Sequence, residues 1–107
     1  MIWTVVISAS AEADLLAIYR YIAERAGEDT AFRFVDRIEE YCLGFATVPV
    51  RGTRRDDLRP GLRTVGFRRR ATILFEADAR ARQVIIHGIH YAGRSFGPEL
   101  AEDDLRD

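Results

Sequence analysis

The sequence predicts a single α+β domain with the element order β-α-α-β-β-β, in which a helical hairpin packs on one face of a small, mostly antiparallel sheet. Three features support this fold: an apolar, β-branched opening segment, two adjacent stretches with helical spacing of apolar residues, and three short apolar runs near the C-terminus. A chain of 107 residues has the size of one domain. Because neither the hairpin nor the sheet can bury its apolar side alone, we expect the two layers to pack together.

Residues 2–7 predict the first strand, since they are apolar and rich in β-branched side chains. The first helix follows, with Ser8 or Ser10 as its N-cap and Gly27 as its C-terminal stop. Its buried stripe has the spacing i, i+3, i+4, i+7 and consists of Leu15, Ile18, Tyr19 and Ile22.

The second helix is expected to begin at Asp29 or Thr30, either of which can cap it, and to close at Val48-Pro49. Its apolar face is formed by Phe34, Val35, Ile38, Tyr41, Cys42 and Phe45. Because only residues 27–29 connect the helices, the pair should lie roughly antiparallel.

Three strands are predicted after an arginine-rich loop at residues 49–61, and they cover residues 62–67, 71–77 and 84–90. The short polar connections between them are typical of hairpins, so the strands should form an antiparallel meander. The helical hairpin then covers one face of this sheet and leaves the other partly open to solvent or to a partner.

Composition excludes several classes of function. The single cysteine, Cys42, offers neither an intramolecular disulfide nor a cysteine-based zinc site, and it suits a reducing cytoplasm. His87 and His90 have odd spacing on a strand, so we expect them to point to opposite faces and to form no metal site together. No phosphate-binding glycine loop, secretion signal or membrane segment is present, and neither a cofactor nor a metal is expected.

Charge is distributed unevenly along the chain. Eight arginines fall between residues 51 and 70, and the segment 97–107 is acidic. We therefore divide the chain into a domain at residues 1–96 and an acidic tail at residues 97–107. All 16 basic residues are arginines, whose planar, multi-donor guanidinium groups match phosphate and carboxylate groups. The arginine run indicates a surface that binds nucleic acid or an acidic protein segment.

Two segments resemble a known family. The first, at residues 8–24, has a capped helix start followed by Ala-Glu-Ala-Asp-Leu and an aromatic-Ile pair. The second, at residues 49–63, has the Pro-x-x-Gly spacing and then Arg-x-Asp-Leu-x-Pro-Gly-Leu-Arg. Both are similar to the ParE toxins of the ParE/RelE superfamily. The resemblance covers residues 4–94 and implies a bacterial type II toxin–antitoxin module.

The resemblance also implies partners and a mechanism. ParE toxins are associated with inhibition of DNA gyrase and growth arrest, and a ParD-like ribbon-helix-helix antitoxin neutralises them in a hetero-oligomer. On this hypothesis the chain is a binding inhibitor with no catalytic residues. The residues expected to contact the antitoxin or another macromolecule are Arg54, Arg55, Arg59, Arg63, Arg68, Arg69, Arg70 and Arg94.

The alternative is a ribosome-dependent mRNA endoribonuclease similar to RelE. The absence of lysine departs from the RelE pattern, and arginine is too basic to act as a base. A nuclease built from this sequence would therefore rely on a different set of groups. The candidate residues for that chemistry are Arg63, Glu76, His87, Tyr91 and Arg94.

Overall fold

The computed structural model describes residues 2–91, and it has the predicted α+β architecture, with two N-terminal helices packed on a five-stranded, mostly antiparallel sheet. The helices are α1 at Ala9–Ala26 and α2 at Glu28–Leu43, followed by a 3₁₀ turn at Gly44–Ala46. The strands are β1 at Thr4–Ile7, β2 at Thr53–Arg54, β3 at Arg63–Phe67, β4 at Ala71–Asp78 and β5 at Gln83–Tyr91.

The strand order in the sheet is β1-β5-β4-β3-β2. Strands β2 to β5 pair antiparallel with their neighbours, whereas β1 pairs parallel with β5, with Thr4 opposite Gln83 and Ile7 opposite Ile86. The parallel pairing follows from the topology, because the helical hairpin carries the chain across the sheet between the first strand and the others. The predicted meander is confirmed as β3, β4 and β5, and the loop at residues 49–61 contributes the two-residue strand β2 in addition.

The helix ends follow local chemistry. Ser8 caps α1, and its hydroxyl oxygen accepts a hydrogen bond from the backbone N–H of Ala11 at 3.1 Å. Gly27, with φ of 93°, is the only residue between the helices, so α2 begins at Glu28, before the predicted caps Asp29 and Thr30. A glycine tolerates this dihedral angle without strain, which allows the direct reversal.

The core lies between the helical hairpin and one face of the sheet. Within residues 2–91, its largest fully buried side chains are Phe45, Phe75, Ile18, Ile38, Ile73, Ile86, Ile89, Val84 and Cys42. Burial in β4 alternates strictly from Ala71 to Phe75, as expected for a strand with one covered face. We call the covered side the helix face and the opposite side the open face.

A β-bulge in β5 changes the predicted orientation of the histidines. Ile73 lies opposite Ile89, and Phe75 lies opposite Ile86. Two steps along β4 therefore match three steps along β5, so β5 contains one extra residue. His87 and His90 consequently border the same cavity on the open face, and the expectation that they point to opposite faces is wrong. The period of two on which that expectation rested does not continue through a bulge.

The open face is partly covered by the loop that follows β2. Leu62, at 6% exposure, is buried there outside the main core cluster.

Gly52, with φ of 73°, packs so closely on β3 that a Cβ atom would collide with the carbonyl oxygen of Thr64. The Pro-x-x-Gly segment therefore requires glycine at this position for two independent reasons: its dihedral angle and its contact with β3.

Candidate functional site: an arginine-rimmed groove

A groove runs between the helical hairpin and the turn that joins β3 to β4. Its main part has a volume of about 520 Å³. It is lined by Ile22, Ala26, Thr30, Phe34, Arg68, Arg69, Arg70 and Tyr91. Adjoining cavities extend it along α2 to Arg33, Arg37 and Tyr41, and along α1 to Arg25. We call this continuous surface the arginine groove.

Aromatic rings form the floor of the arginine groove. The Phe34 ring lies 5.9 Å from that of Phe67 and 5.5 Å from that of Tyr91, both in edge-to-face geometry. Tyr41 continues the row, with its ring centroid 5.2 Å from that of Phe67. Phe34 and Tyr41 are half-buried, and the buried rings of Phe67 and Tyr91 support them from below. The exposed apolar area of Phe34 and Tyr41 is therefore already fixed by packing, which reduces the entropic cost of binding a partner.

The rim of the arginine groove is cationic. Arg33 and Arg37, one helical turn apart on α2, face the turn arginines Arg68 and Arg69 across the opening. No carboxylate within residues 2–91 pairs with any of these four side chains. Among the described residues that line the groove, Glu40 at its far end is the one carboxylate. The groove therefore combines an apolar floor with guanidinium groups suited to carboxylates or phosphates.

The turn between β3 and β4, which carries Arg68 and Arg69, has backbone dihedral angles that arginine rarely adopts. Arg68 and Arg69 have φ values of 52° and 62°, and the N–H of Arg70 donates to the carbonyl of Phe67 at 3.1 Å. Two successive left-handed residues are the φ pattern of a type I′ turn, in which Asn-Gly is favoured. Backbone conformations of this kind in non-glycine residues are concentrated at functional sites. The turn thus displays two arginines at a cost to folding.

The remaining predicted arginines lie elsewhere. Arg54 pairs with Asp56 at 2.9 Å, and Arg55 donates to both carboxylate oxygens of Asp57, at 3.0 and 2.9 Å. These side-chain hydrogen bonds lower the pKa of Asp57 and raise the pKa of Arg55. The structure therefore separates the arginine run into an internally paired loop and the turn at the groove.

Arg63 and Arg59 occupy two further environments. Arg63 Nη1 donates to the backbone carbonyl of Arg51 at 3.2 Å on the helix face. Arg51 itself lies 4.9 Å from the centroid of the Tyr41 ring and donates to the Tyr41 hydroxyl at 3.0 Å. Arg59 instead borders a cavity on the open face, and Arg94 lies outside the described residues.

That open-face cavity has a volume of about 290 Å³ and is lined by one of the candidate nuclease residues, His87. His87 Nε2 lies 2.9 Å from Glu76 Oε1, so the carboxylate orients the imidazole. The lining residues are Ser10, Asp14, Arg59, Leu62, Leu74, His87, Gly88 and His90. A histidine held by a carboxylate near an arginine has the components of acid–base chemistry on a phosphate.

The sheet separates the candidate nuclease residues. Tyr91 is 2% exposed and packs on the helix face, where its hydroxyl lies 3.4 Å from Arg70 Nη1. Arg63 is also on the helix face, directly opposite Phe75. Glu76 and His87 therefore lie together on the open face, whereas Arg63 and Tyr91 lie on the other side.

Neither a metal site nor a membrane-spanning helix is found within residues 2–91. No group of three or more His, Cys, Asp or Glu residues in that range is arranged to hold a metal ion. No helix in the same range combines the length and hydropathy needed to cross a membrane.

Comparison with known proteins gives the family. The model of the ParE toxins of type II toxin–antitoxin systems, parDE, matches residues 5–94. The chain belongs to the ParE toxin family. The predicted resemblance is thereby confirmed, and a search of curated protein sequences finds no match.

Solved structures agree with membership in the ParE family. The chain is similar to a structure of the chromosomal ParDE toxin–antitoxin system from P. aeruginosa, with a TM-score of 0.71, 26% identity, and coverage of 82% of this chain and 94% of the other. It also shares its fold with the toxin–antitoxin complex RelBE2 from Mycobacterium tuberculosis, with a TM-score of 0.61, 17% identity, and coverage of 85% and 99%.

Several residues of this ParE groove were missed in the sequence reasoning. Phe34 was predicted only as part of the apolar face of the second helix, and neither Arg33 nor Arg37 was among the predicted contact residues. The signal that could have identified them is the i, i+4 arginine pair flanking an aromatic residue on one helix, which presents charge beside apolar area.

Proposed function

We propose that this chain is the toxin of a two-protein module and that a ParD-like antitoxin, with a ribbon-helix-helix DNA-binding part, silences it by binding the arginine groove. The observation that carries this proposal is the match to the ParE toxin family over residues 5–94. The arginine groove supports it, because an antitoxin segment with apolar and acidic side chains would complement an aromatic floor and a cationic rim.

The proposed target is DNA gyrase, which the toxin inhibits by binding and so arrests growth. Inhibition of this kind requires a preferred affinity for one state of the target and no chemical step. The separation of Arg63 and Tyr91 from Glu76 and His87 by the sheet supports a binding mechanism over a catalytic one.

The test of the proposed target is a supercoiling assay with purified gyrase and purified toxin. We expect supercoiling to fall or cleaved DNA to accumulate as toxin is added, and pre-mixing with the antitoxin to abolish the effect. Full gyrase activity at saturating toxin would refute gyrase as the target.

A second candidate function, ribosome-dependent cleavage of mRNA, is favoured by one observation, the His87–Glu76 contact of 2.9 Å beside Arg59 in the open-face cavity. In this reading His87 acts as the base and Arg59 stabilises charge on the phosphate. Primer extension on translating ribosomes would show cuts that His87→Ala abolishes. Intact message with the wild-type toxin would exclude this function.

A further inference from the structure

We propose that the acidic tail, residues 97–107, binds the arginine groove of its own chain and thereby competes with the antitoxin. The binding of the tail is independent of the target, whereas the competition rests on the proposed function. The tail would compete for the groove within the same chain and so lower the affinity of any acidic partner for it.

The position of the chain end supports this proposal. The described residues end at Tyr91 in β5, and the ring of Tyr91 forms part of the groove floor. Seven residues lie between Tyr91 and Glu99, so Glu99 is eight steps along the chain from Tyr91. An extended chain of that length reaches about 26 Å. The groove arginines on α2, Arg33 and Arg37, span about 6 Å along the helix axis, so the tail is long enough to reach the whole rim.

The charges of the two surfaces are complementary. The tail carries Glu99, Glu102, Asp103, Asp104 and Asp107 against the single basic residue Arg106. The rim offers guanidinium groups that no carboxylate of residues 2–91 pairs, at Arg33, Arg37, Arg68 and Arg69. Leu100 and Leu105 supply apolar side chains for the aromatic floor. The tail thus has the mixed acidic and apolar composition that the groove would bind.

Tethering makes even a weak contact effective. A connection of only a few residues sets an effective concentration in the millimolar range, so a segment with a Kd of about 0.1 mM would occupy the groove most of the time. The family match ends at residue 94, so the tail lies beyond the part of the chain that the family model describes. Competition by the tail would therefore be a property of this chain that the shared fold does not require.

The test uses two full-length chains and one probe. The first chain is wild type, and the second has a neutral tail with Glu99→Gln, Glu102→Gln, Asp103→Asn, Asp104→Asn and Asp107→Asn. The probe is a fluorescein-labelled peptide with the sequence of residues 95–107, and its binding is followed by fluorescence anisotropy. We expect the neutral-tail chain to bind the peptide at least tenfold more tightly, because its groove is vacated.

Two further variants locate the binding. Adding Arg68→Asn and Arg69→Gly to the neutral-tail chain should abolish peptide binding while giving the turn the Asn-Gly sequence that its backbone favours. A matched control that removes exposed arginines away from the groove, Arg20→Gln and Arg80→Gln, should bind as before. Equal peptide binding by the wild-type and neutral-tail chains, or binding that survives the turn substitutions, would overturn the proposal.

The competition is tested separately with the purified antitoxin. We expect the neutral-tail chain to bind the antitoxin several-fold more tightly than the wild type does. Identical affinities would overturn the competition while leaving the proposed toxin function intact, since that function is tested by the gyrase assay.

Discussion

The Asp14 side chain on α1 accepts a hydrogen bond from the backbone N–H of Ile89 on β5, with 2.9 Å between Oδ2 and N. β1 pairs with β5 only as far as Ile86, so the edge of β5 beyond that point has no neighbouring strand on this side. The Asp14 carboxylate accepts the hydrogen bond that a neighbouring strand would otherwise accept. It thereby links α1 to the part of the sheet that carries both Tyr91 and His87.

Replacing Asp14 with alanine should lower the free energy of unfolding by about 2 kcal/mol, because a nearly buried N–H loses a charged acceptor. Asp14→Asn retains an acceptor oxygen and should lose less. Urea denaturation of both variants measures the difference, with Glu12→Ala as an exposed control on the same helix. A loss no greater than that of the control would show that the contact contributes nothing to stability.

Gly52→Ala should destabilise the protein by about 2 kcal/mol or more, since the new Cβ would strain a left-handed backbone and collide with the Thr64 carbonyl. The matched control is Gly44→Ala, where the backbone has φ of −64° and a Cβ meets nothing within 4 Å. Thermal unfolding of the two variants should therefore separate clearly. Equal melting temperatures would contradict the close packing of Gly52 on β3.

The double substitution Arg68→Asn and Arg69→Gly should stabilise the fold by about 1 kcal/mol, because Asn-Gly is the favoured sequence for a turn with two left-handed residues. Chemical denaturation measures the change. A loss of stability would mean that the two arginine side chains support the fold. The unfavourable backbone of the turn would then no longer indicate a binding site.

Burial, together with the nearby Glu39 charge, raises the pKa of the Cys42 thiol to about 12 from an ordinary value of 9.0. The folded protein should therefore resist thiol alkylation at pH 8 and react only when unfolded. Between pH 9 and about 12 the thiol ionises in the unfolded chain but not in the folded one. The free energy of unfolding therefore keeps its full value below pH 9 and falls as the pH rises toward 12. Comparing the stability of wild type and Cys42→Ala across that interval isolates the effect. Fast labelling of the native protein would contradict the burial.

The sequence was sufficient to predict the layers of the fold. Helical spacing of apolar residues located α1 and α2, the N-cap of α1 is Ser8, one of the two predicted candidates, and three apolar runs located β3 to β5. Those features depend on neighbours within a few residues, where periodicity and capping preferences act directly.

Features that depend on distant contacts were not predicted. The bulge opposite Leu74 and Phe75 brings His87 and His90 to one cavity, and β1 pairs with β5 across most of the chain. The arginine groove likewise forms only when α2 meets the turn after β3, so neither Arg33 nor Arg37 was among the predicted contact residues. Register and tertiary juxtaposition leave little trace in local sequence.

The most direct test of the arginine groove as the antitoxin site is the affinity of the purified antitoxin for the Arg68→Asn, Arg69→Gly toxin, compared with wild type and with the Arg20→Gln, Arg80→Gln control. We expect the groove variant to bind at least tenfold more weakly, with a shallower salt dependence, while the control binds like wild type. Unchanged affinity and salt dependence in the groove variant would contradict the account.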